Sequence, residues 1–431
     1  MNLAEISLAA LVLAIVLSCT TRLNVGFVAL VLAWIVGVYF GRLSLAEVAA
    51  GFPTRLFLTL TGVTLLFTQA RVNGTLERIA AQAVRCCRGN SGLIPIAFFL
   101  MAVTVASVGA GNIASAAIVS PMAMAVASQA GISPFLMTIM VGNGANAGSL
   151  SPFAPTGVIV TGLMARIGLT GVEWQTYLFN LVAHTLVAFA GYFAFGGVKL
   201  FRRRQPDDEN FPGRNKDETG THETLPPQKF EARHWVTLAI LGTLIAVVVA
   251  FEVDIGMAAF SGAVLLAFLR MGDESAAIRQ IPWNVIMMVS GMTLLVALLE
   301  KTGGMGLFTS LLATISTQHS VTFVIALLTG LISVYSSTSG VVLPAFLPTV
   351  PGLIAKLGGG DPLAIASSIN VGGHLVDVSP LSTIGALCIA SALTTGEETR
   401  VLFNKVLAWG LSMSVVGALL CYLFFGLLWQ A

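Results

Sequence analysis

The sequence predicts an all-α polytopic membrane protein made of two inverted repeats. Three observations lead there. The 431 residues are 56% hydrophobic and only 10% charged, whereas a soluble domain carries about 25% charged residues. Runs of about 20 apolar residues, each long enough to cross a bilayer, recur over almost the whole length. One hydrophilic block divides the chain near its midpoint, and the halves on either side share an ordered series of matches.

Full spans are expected near 3–20, 23–41, 54–71, 174–199, 235–252, 255–271, 283–300 and 402–429. The first apolar run, Leu3–Cys19, lacks a basic n-region and a small-residue cleavage site, so a span is expected there rather than a cleaved leader. Segments 135–166 and 361–394 are too long for one straight helix and are interrupted by Gly, Pro and hydroxyl residues, so each is expected to be a broken helix. Segments 91–130 and 318–356 are about twice a span in length, with Gly-rich polar centres, "SVGAGNIASAA" and "SVYSSTSGVV". Two spans or a re-entrant hairpin would both fit, and the hairpin is the favoured expectation. Non-helical backbone at membrane depth survives where it is buried in protein or lines a wet cavity.

The hydrophilic block, Arg202–His234, reads as a flexible linker. Across it Gly62, Thr64, Leu65, Leu66 and Gly74 match Gly291, Thr293, Leu294, Leu295 and Gly303 at an offset of 229, which Pro53 and Pro282 keep. Gly26 and Gly256 pair at 230, and Gly144, Ser151, Pro152 and Gly157 match Gly372, Ser379, Pro380 and Gly385 at 228. The expected organisation is a first repeat over 1–199, a linker over 200–234 and a second repeat over 235–431. Each repeat then has five crossings and one hairpin. Five is odd, so the halves insert in opposite orientations, a transporter signature.

With the linker inside, only Arg42, Arg55, Arg166, Lys301 and Lys356 of the 22 Lys and Arg residues fall outside. The positive-inside rule therefore predicts a cytoplasmic linker and both termini outside. Segments 72–88 and 304–316 precede the two hairpins; the first carries Arg on one face and apolar residues on the other, and reads as an interfacial arm. The five cysteines have no metal-ligand spacing and read as apolar residues.

Four polar centres should meet at the midplane. They are the first tip (Ser107, Gly109, Gly111, Asn112, Ser115), the first break (Asn143, Asn146, Ser149, Ser151, Pro152, Pro155, Thr156), the second tip (Ser336, Ser337, Thr338, Ser339, Gly340) and the second break (His374, Asp377, Ser379, Ser382, Thr383). A broken helix exposes N–H groups at one half and C=O groups at the other. The N–H end favours a carboxylate, and the carbonyl end with Asn, Ser and Thr oxygens suits Na+. No Lys or Arg lies at midplane depth in any expected span. An anion would be held by dipoles, hydroxyls, amides and bound cations. Single Gly, Ser and Thr residues also serve helix packing. His184, alone in an apolar span, reads as a packed or interface residue. Asp377 reads equally as a cap for a half-helix starting at Ser379 and as a cation or proton site. There is no GxSxG or HExxH, so no enzyme is expected. Nothing in the chain calls for an organic cofactor or for nucleic acid.

The stretches "GFPTRLFLTLTGVTLLFTQARVNGTLERI", "GNGANAGSLSPFAPTGVI" and "VDVSPLSTIGALCIAS" closely resemble the MatC-type malonate/dicarboxylate carriers of the ion transporter superfamily, relatives of the divalent-anion:sodium symporters. The resemblance covers most of both halves apart from the linker. It implies a scaffold domain, a mobile transport domain, an elevator movement and a homodimer. In the symporters, Ser-Asn-Thr tips bind Na+ and dicarboxylate; here Gly111-Asn112-Ile113 and Ser336-Ser337-Thr338 stand at those places and depart from that pattern. The substrate-binding candidates are Asn112, Ser115, Asn146, Ser151, Thr156, Ser337, Thr338, Ser379, Ser382 and Thr383. The Na+ candidates are Ser107, Gly111, Asn112, Gly148, Ser336, Ser339, Val376 and Asp377. The expectation is a Na+-coupled (or H+-coupled) secondary transporter of malonate or a similar C3–C4 acid in a bacterial inner membrane. The alternatives are the large membrane subunit of a binding-protein-dependent carboxylate transporter, or an anion channel or sensor.

Overall fold

The computed structural model describes residues 2–21, 23–76, 78, 91–202, 230–251, 253–392, 394 and 397–428. Most of the linker and most of the expected arm over 72–88 lie outside the described residues. Among the described residues every regular element is helical. The first half holds α1 (Leu3–Thr20), α2 (Val25–Trp34, continued by a π turn Ile35–Phe40), α3 (Leu45–Ala49), α4 (Thr54–Val72), α5 (Leu93–Val105, continued by a π turn Ala106–Ala110), α6 (Gly111–Gln129), α7 (Pro134–Ala147), α8 (Pro155–Arg166), α9 (Glu173–Ala194) and α10 (Gly197–Arg202). The second holds α11 (Ala232–Phe251), α12 (Ile255–Phe268), α13 (Glu274–Gln280), α14 (Trp283–Lys301), α15 (Gly304–Thr314), α16 (Val321–Ser333), a π turn Thr338–Val342, α17 (Leu343–Phe346), α18 (Val350–Leu357), α19 (Pro362–Leu375), α20 (Thr383–Ser391) and α21 (Glu397–Cys421). Six helical stretches among the described residues are long and apolar enough to cross a bilayer, so this is a multi-pass membrane protein.

Local sequence explains the element ends. Asn2 and Glu5 form a reciprocal capping box on α1, and Asp254 caps α12 through Gly256 and Met257. Pro opens α7, α8 and α19, where its missing N–H costs nothing. The expected span 174–199 ends at Ala194; Gly196, with φ +100°, separates it from α10.

Two groups of helices pack together. In one, α2 lies on α14 and α4 on α12, with α1 against α2 and α15. Both main crossings are glycine to glycine. A Cβ on Gly291 would sit 2.1 Å from the Gly26 carbonyl oxygen, and one on Gly62 would sit 2.5 Å from that of Gly256. Without a hydrophobic drive between helices in lipid, such close backbone approach supplies the packing energy. In the second group α7 packs on α5, α6 and α9, while α16 packs on α19 and α21. The two groups meet where α14 touches the Thr338–Val342 turn and α4 touches α8.

Segment 91–130 is a hairpin. Its first arm, α5, runs on through the π turn to Ala110. The chain reverses at Gly109 (φ +122°) and Gly111 (φ +77°), backbone that a side chain would strain, and α6 returns against α5. Segment 318–356 is also interrupted at its centre: α16, 13 residues long, ends at Ser333, and a π turn over Thr338–Val342 follows. Helix is interrupted over 148–154 and over 376–382, and these two segments are the breaks referred to below.

Candidate functional site

Each hairpin tip seats against the break of its own half. In the first half, Asn112 Nδ2 donates to Asn146 Oδ1 at 3.0 Å. Ser151 Oγ donates to the Ser107 carbonyl at 2.7 Å, and a Cβ on Gly111 would meet Pro155 Cδ at 3.1 Å. A Cβ on Gly148 would lie 2.8 Å from Ser107 Oγ. In the second half, Thr338 Oγ1 donates to Asp377 Oδ1 at 2.9 Å, approaches the Gly373 carbonyl at 3.2 Å, and pairs with Ser333. The halves touch through Asn146, whose Nδ2 lies 3.5 Å from the His374 carbonyl, and through Gly142 against Val378. Tips and breaks from both halves thus meet in one polar centre, with Asn146 and Thr338 buried and Asn112 and Asp377 half-buried.

The surroundings fix these positions. The tips lean on the other helix group: Gly109 lies against the Phe67 ring of α4 and Gly340 against Met288 of α14. Ser336 Oγ is 2.8 Å from Ser18 Oγ of α1. Within each break a carbonyl tucks under the following half-helix, where a Cβ on Gly157 would lie 1.9 Å from the Ser151 oxygen and one on Gly385 2.0 Å from that of Ser379. The half-helices α8 and α20 start there, and α7 and α19 end there. Positive and negative helix ends therefore face the same region.

The remaining candidates divide. Ser115 Oγ is spent on the Ala102 carbonyl across the hairpin arms at 2.8 Å. Ser337 caps the π turn through Gly340 N at 3.0 Å. Thr156 is buried at the start of α8, Ser339 is half-buried, Val376 is buried at the end of α19, and Thr383 is exposed at the start of α20. Ser379 is buried and its Oγ accepts from Leu381 N at 3.3 Å. The capping expectation for Asp377 needs correction. The half-helix starts at Thr383 rather than Ser379, and Ser382 caps it by accepting from Gly385 N at 3.4 Å. The Ser382 hydroxyl also binds the Asp377 carbonyl. The Asp377 carboxylate is turned instead to Thr338 on the facing tip.

One helix contributes more than its sequence was expected to. On α9, Tyr177 bonds Ser107 Oγ at 3.0 Å, Asn180 Nδ2 donates to the Asn146 carbonyl at 2.8 Å, and His184 Nδ1 lies 3.0 Å from Asn143 Oδ1. The spacing 177, 180, 184 puts all three on one helical face, and that polar stripe in an apolar span was the available signal.

Residues 1–149 match the family model described as the dicarboxylate carrier protein MatC N-terminus. The match covers the first hairpin and α7 and reaches the first break. The fold also resembles the Alcanivorax borkumensis YdaH transporter, described from its crystal structure as having an unusual topology. The TM-score is 0.57 at 14% identity, covering 90% of this chain and 89% of that one. No curated protein matches the chain.

Proposed function

We propose that the chain is a secondary active transporter of small dicarboxylates, malonate or a similar C3–C4 acid, in a bacterial inner membrane. The observation that carries this reading is the pair of tips sealed onto the pair of breaks, by Asn112–Asn146 in one half and Thr338–Asp377 in the other. Such a site presents helix ends, amides and hydroxyls to an anion, and a carboxylate to a coupling cation. The MatC family match over the first 149 residues and the transporter fold support the substrate class and the activity.

The α2/α14 and α4/α12 group is the scaffold in this reading. The hairpins, broken helices, α9 and α21 form the moving domain, which carries the site across by an elevator displacement. The crossings of Gly26 with Gly291 and of Gly62 with Gly256 support an inverted repeat. Gly26 corresponds to Gly256 and Gly62 to Gly291, so each crossing is the other with the halves exchanged. Na+ is the proposed coupling ion at Asp377, with H+ as its competitor, and a homodimer is the proposed assembly.

Reconstitution into liposomes tests this. Labelled malonate and succinate should accumulate under an imposed Na+ or H+ gradient and should exchange by counterflow. Absence of saturable uptake and of counterflow under every gradient would end this reading.

A further inference from the structure

We propose that His184 is a proton-binding site buried between α7, α9 and α19, and that its proton supplies part of the positive charge that holds the substrate dianion. The second clause rests on the transport reading above; the first does not.

The hydrogen-bond geometry fixes the ring. Asn143 Nδ2 donates to the Ile139 carbonyl at 2.9 Å, so its Oδ1 is the atom facing His184 Nδ1 at 3.0 Å. Oδ1 only accepts, hence Nδ1 carries the hydrogen and Nε2 of the neutral ring is a bare acceptor. That Nε2 is buried and has no partner. One turn earlier, Asn180 spends its Nδ2 on the Asn146 and Ala147 carbonyls, and its Oδ1 is also unpartnered. Across from α9, on α19, His374 Nδ1 faces the Asn370 carbonyl at 2.8 Å and so also carries a hydrogen. His374 Nε2 and Asn370 Oδ1 are unpartnered as well.

Hydrogen bonds tie Asn180 and His184 to α7, Asn146 of α7 reaches the His374 carbonyl, and α9 packs directly on α19, which brings these residues into one cluster. The cluster holds four buried unpartnered acceptors, each with a desolvation cost of about 1–3 kcal/mol. A proton on His184 Nε2 turns one of these unpartnered acceptors into a donor. α7 carries no titratable residue. α19 carries only His374, and two like charges in a low-dielectric setting repel, so the cluster takes one proton rather than two. Asp377 follows α19, and its carboxylate faces Thr338. On α9 itself Tyr177 is bonded to Ser107, while Glu173 and Tyr192 lie towards its two ends. Arg166 ends α8, and Lys199 and Arg202 lie on α10 beyond the end of α9.

The position links proton to anion. Asn180 binds the last turn of α7, and that turn presents Asn146 to the first tip. Helices α7 and α20 and the two breaks carry no Lys or Arg. A dianion arriving there needs positive charge in a low-dielectric setting, and a protonated His184 sits one hydrogen-bonded layer behind the site.

The full chain, labelled with ¹⁵N-histidine and held in nanodiscs, gives a substrate-free test. The His184 resonance is assigned by its loss in His184→Gln, or by elimination with Gln variants of the other four histidines should that variant misfold. Between about pH 8.5 and 5, around the ordinary histidine range, its Nε2 signal should move from the bare to the protonated position. A ring that stays neutral throughout, or that carries its hydrogen on Nε2 at high pH, overturns the site. Titration calorimetry with malonate or succinate in two buffers of different ionisation enthalpy tests the coupling. With Na+ saturating, uptake of up to about one proton per substrate is expected in the unsubstituted protein and none in His184→Gln. Binding without proton uptake overturns the coupling clause. Failure of either acid to bind overturns the transport reading and the coupling clause with it, while the resonance still decides the site.

Discussion

Gly385→Ala should disable the protein, and Gly157→Ala should do so to the same degree. At 385 the added Cβ would sit 2.0 Å from the Ser379 carbonyl oxygen and 2.4 Å from its carbon; at 157 it would sit 1.9 Å from the Ser151 oxygen and 2.7 Å from its carbon. The obstacles are backbone atoms, so no rotamer change relieves them. The break must move by more than an ångström, and that pulls on bonds the site needs. Ser382 Oγ donates to the Ser379 carbonyl, and Ser151 Oγ donates to the Ser107 carbonyl of the first tip. Overpacking costs about 1–3 kcal/mol, and each strained hydrogen bond adds about 1 kcal/mol. The total is about 3 kcal/mol, or roughly a hundredfold in the folded-to-unfolded ratio. Gly306, with nothing near its Cβ position, is the control. Gly306→Ala lies in helix α15 and should be neutral or stabilise by up to about 1 kcal/mol. Thermal midpoints in detergent and counterflow in liposomes read both effects. Wild-type midpoints and uptake in the two break variants would refute the account of the breaks.

Thr338→Val keeps the side-chain shape and removes the hydroxyl facing Asp377. Loss of a hydrogen bond to a charged group costs about 1.5–3 kcal/mol, so the cation concentration for half-maximal uptake should rise about 10- to 100-fold; an unchanged cation dependence would separate this bond from coupling. Asp377→Asn should alter which gradient drives uptake while leaving the fold intact, since Ser382 and not Asp377 caps α20. Unaltered Na+ and pH dependence would remove Asp377 from the mechanism. At the linker end, His234 Nδ1 accepts from Arg78 Nη1 at 2.9 Å and from Glu231 N at 2.8 Å, and Nε2 donates to the Asn73 carbonyl at 3.1 Å, an arrangement only the neutral ring makes. Burial, and then the Arg78 guanidinium, hold its pKa below the ordinary histidine value. Its contribution to stability is therefore full above about pH 6.5 and declines as pH falls towards the lowered pKa. His234→Gln should flatten the thermal midpoint between pH 7 and 5, and an identical slope in both proteins would refute the assignment.

The helices were legible in the sequence because lipid makes span length and apolarity nearly the whole signal. The expected spans 3–20 and 283–300 return as Leu3–Thr20 and Trp283–Lys301. Gly-rich polar centres located both tips and both breaks, since only buried, turned backbone tolerates such composition at that depth. Side-chain partners were less legible. Nothing local distinguishes Ser115, spent across its hairpin, from Ser151, which ties break to tip. The start of α20 was misplaced by four residues because Ser379 and Ser382 both precede apolar runs, and only the fold selects the second. His184, read as a packed or interface residue, is fully buried, but its partner Asn143 was hidden because it comes from a distant segment. The structure also reveals recurrences the sequence hid. Arg42 and Arg270 both adopt φ +53°, and Ser44 and Asp273 cap the short helices α3 and α13 at the same offset of 229 that Pro53 and Pro282 keep.

The two halves reach the same geometry with different chemistry, and that difference bears on mechanism. In the first, tip and break are joined by two amides, Asn112 and Asn146; neither changes charge with pH or attracts a cation strongly. In the second, a hydroxyl meets a carboxylate, Thr338 on Asp377. A carboxylate in a region without Lys or Arg is stable only with a proton or a cation beside it. A tip that closes on Asp377 closes most favourably when that charge is compensated. In the first half, closure at Asn112 needs no counter-ion. In the proposed coupling, a cation would act mainly on the second tip, whose neighbour Ser336 also touches α1 of the other helix group through Ser18. Compensation of one carboxylate is thereby linked to the contact that must break if the two groups are to slide past one another. Ser18→Ala removes that contact without touching either break. It should raise the exchange rate while leaving cation dependence unchanged, and an exchange rate equal to the wild type would show that the Ser18–Ser336 contact does not limit the movement.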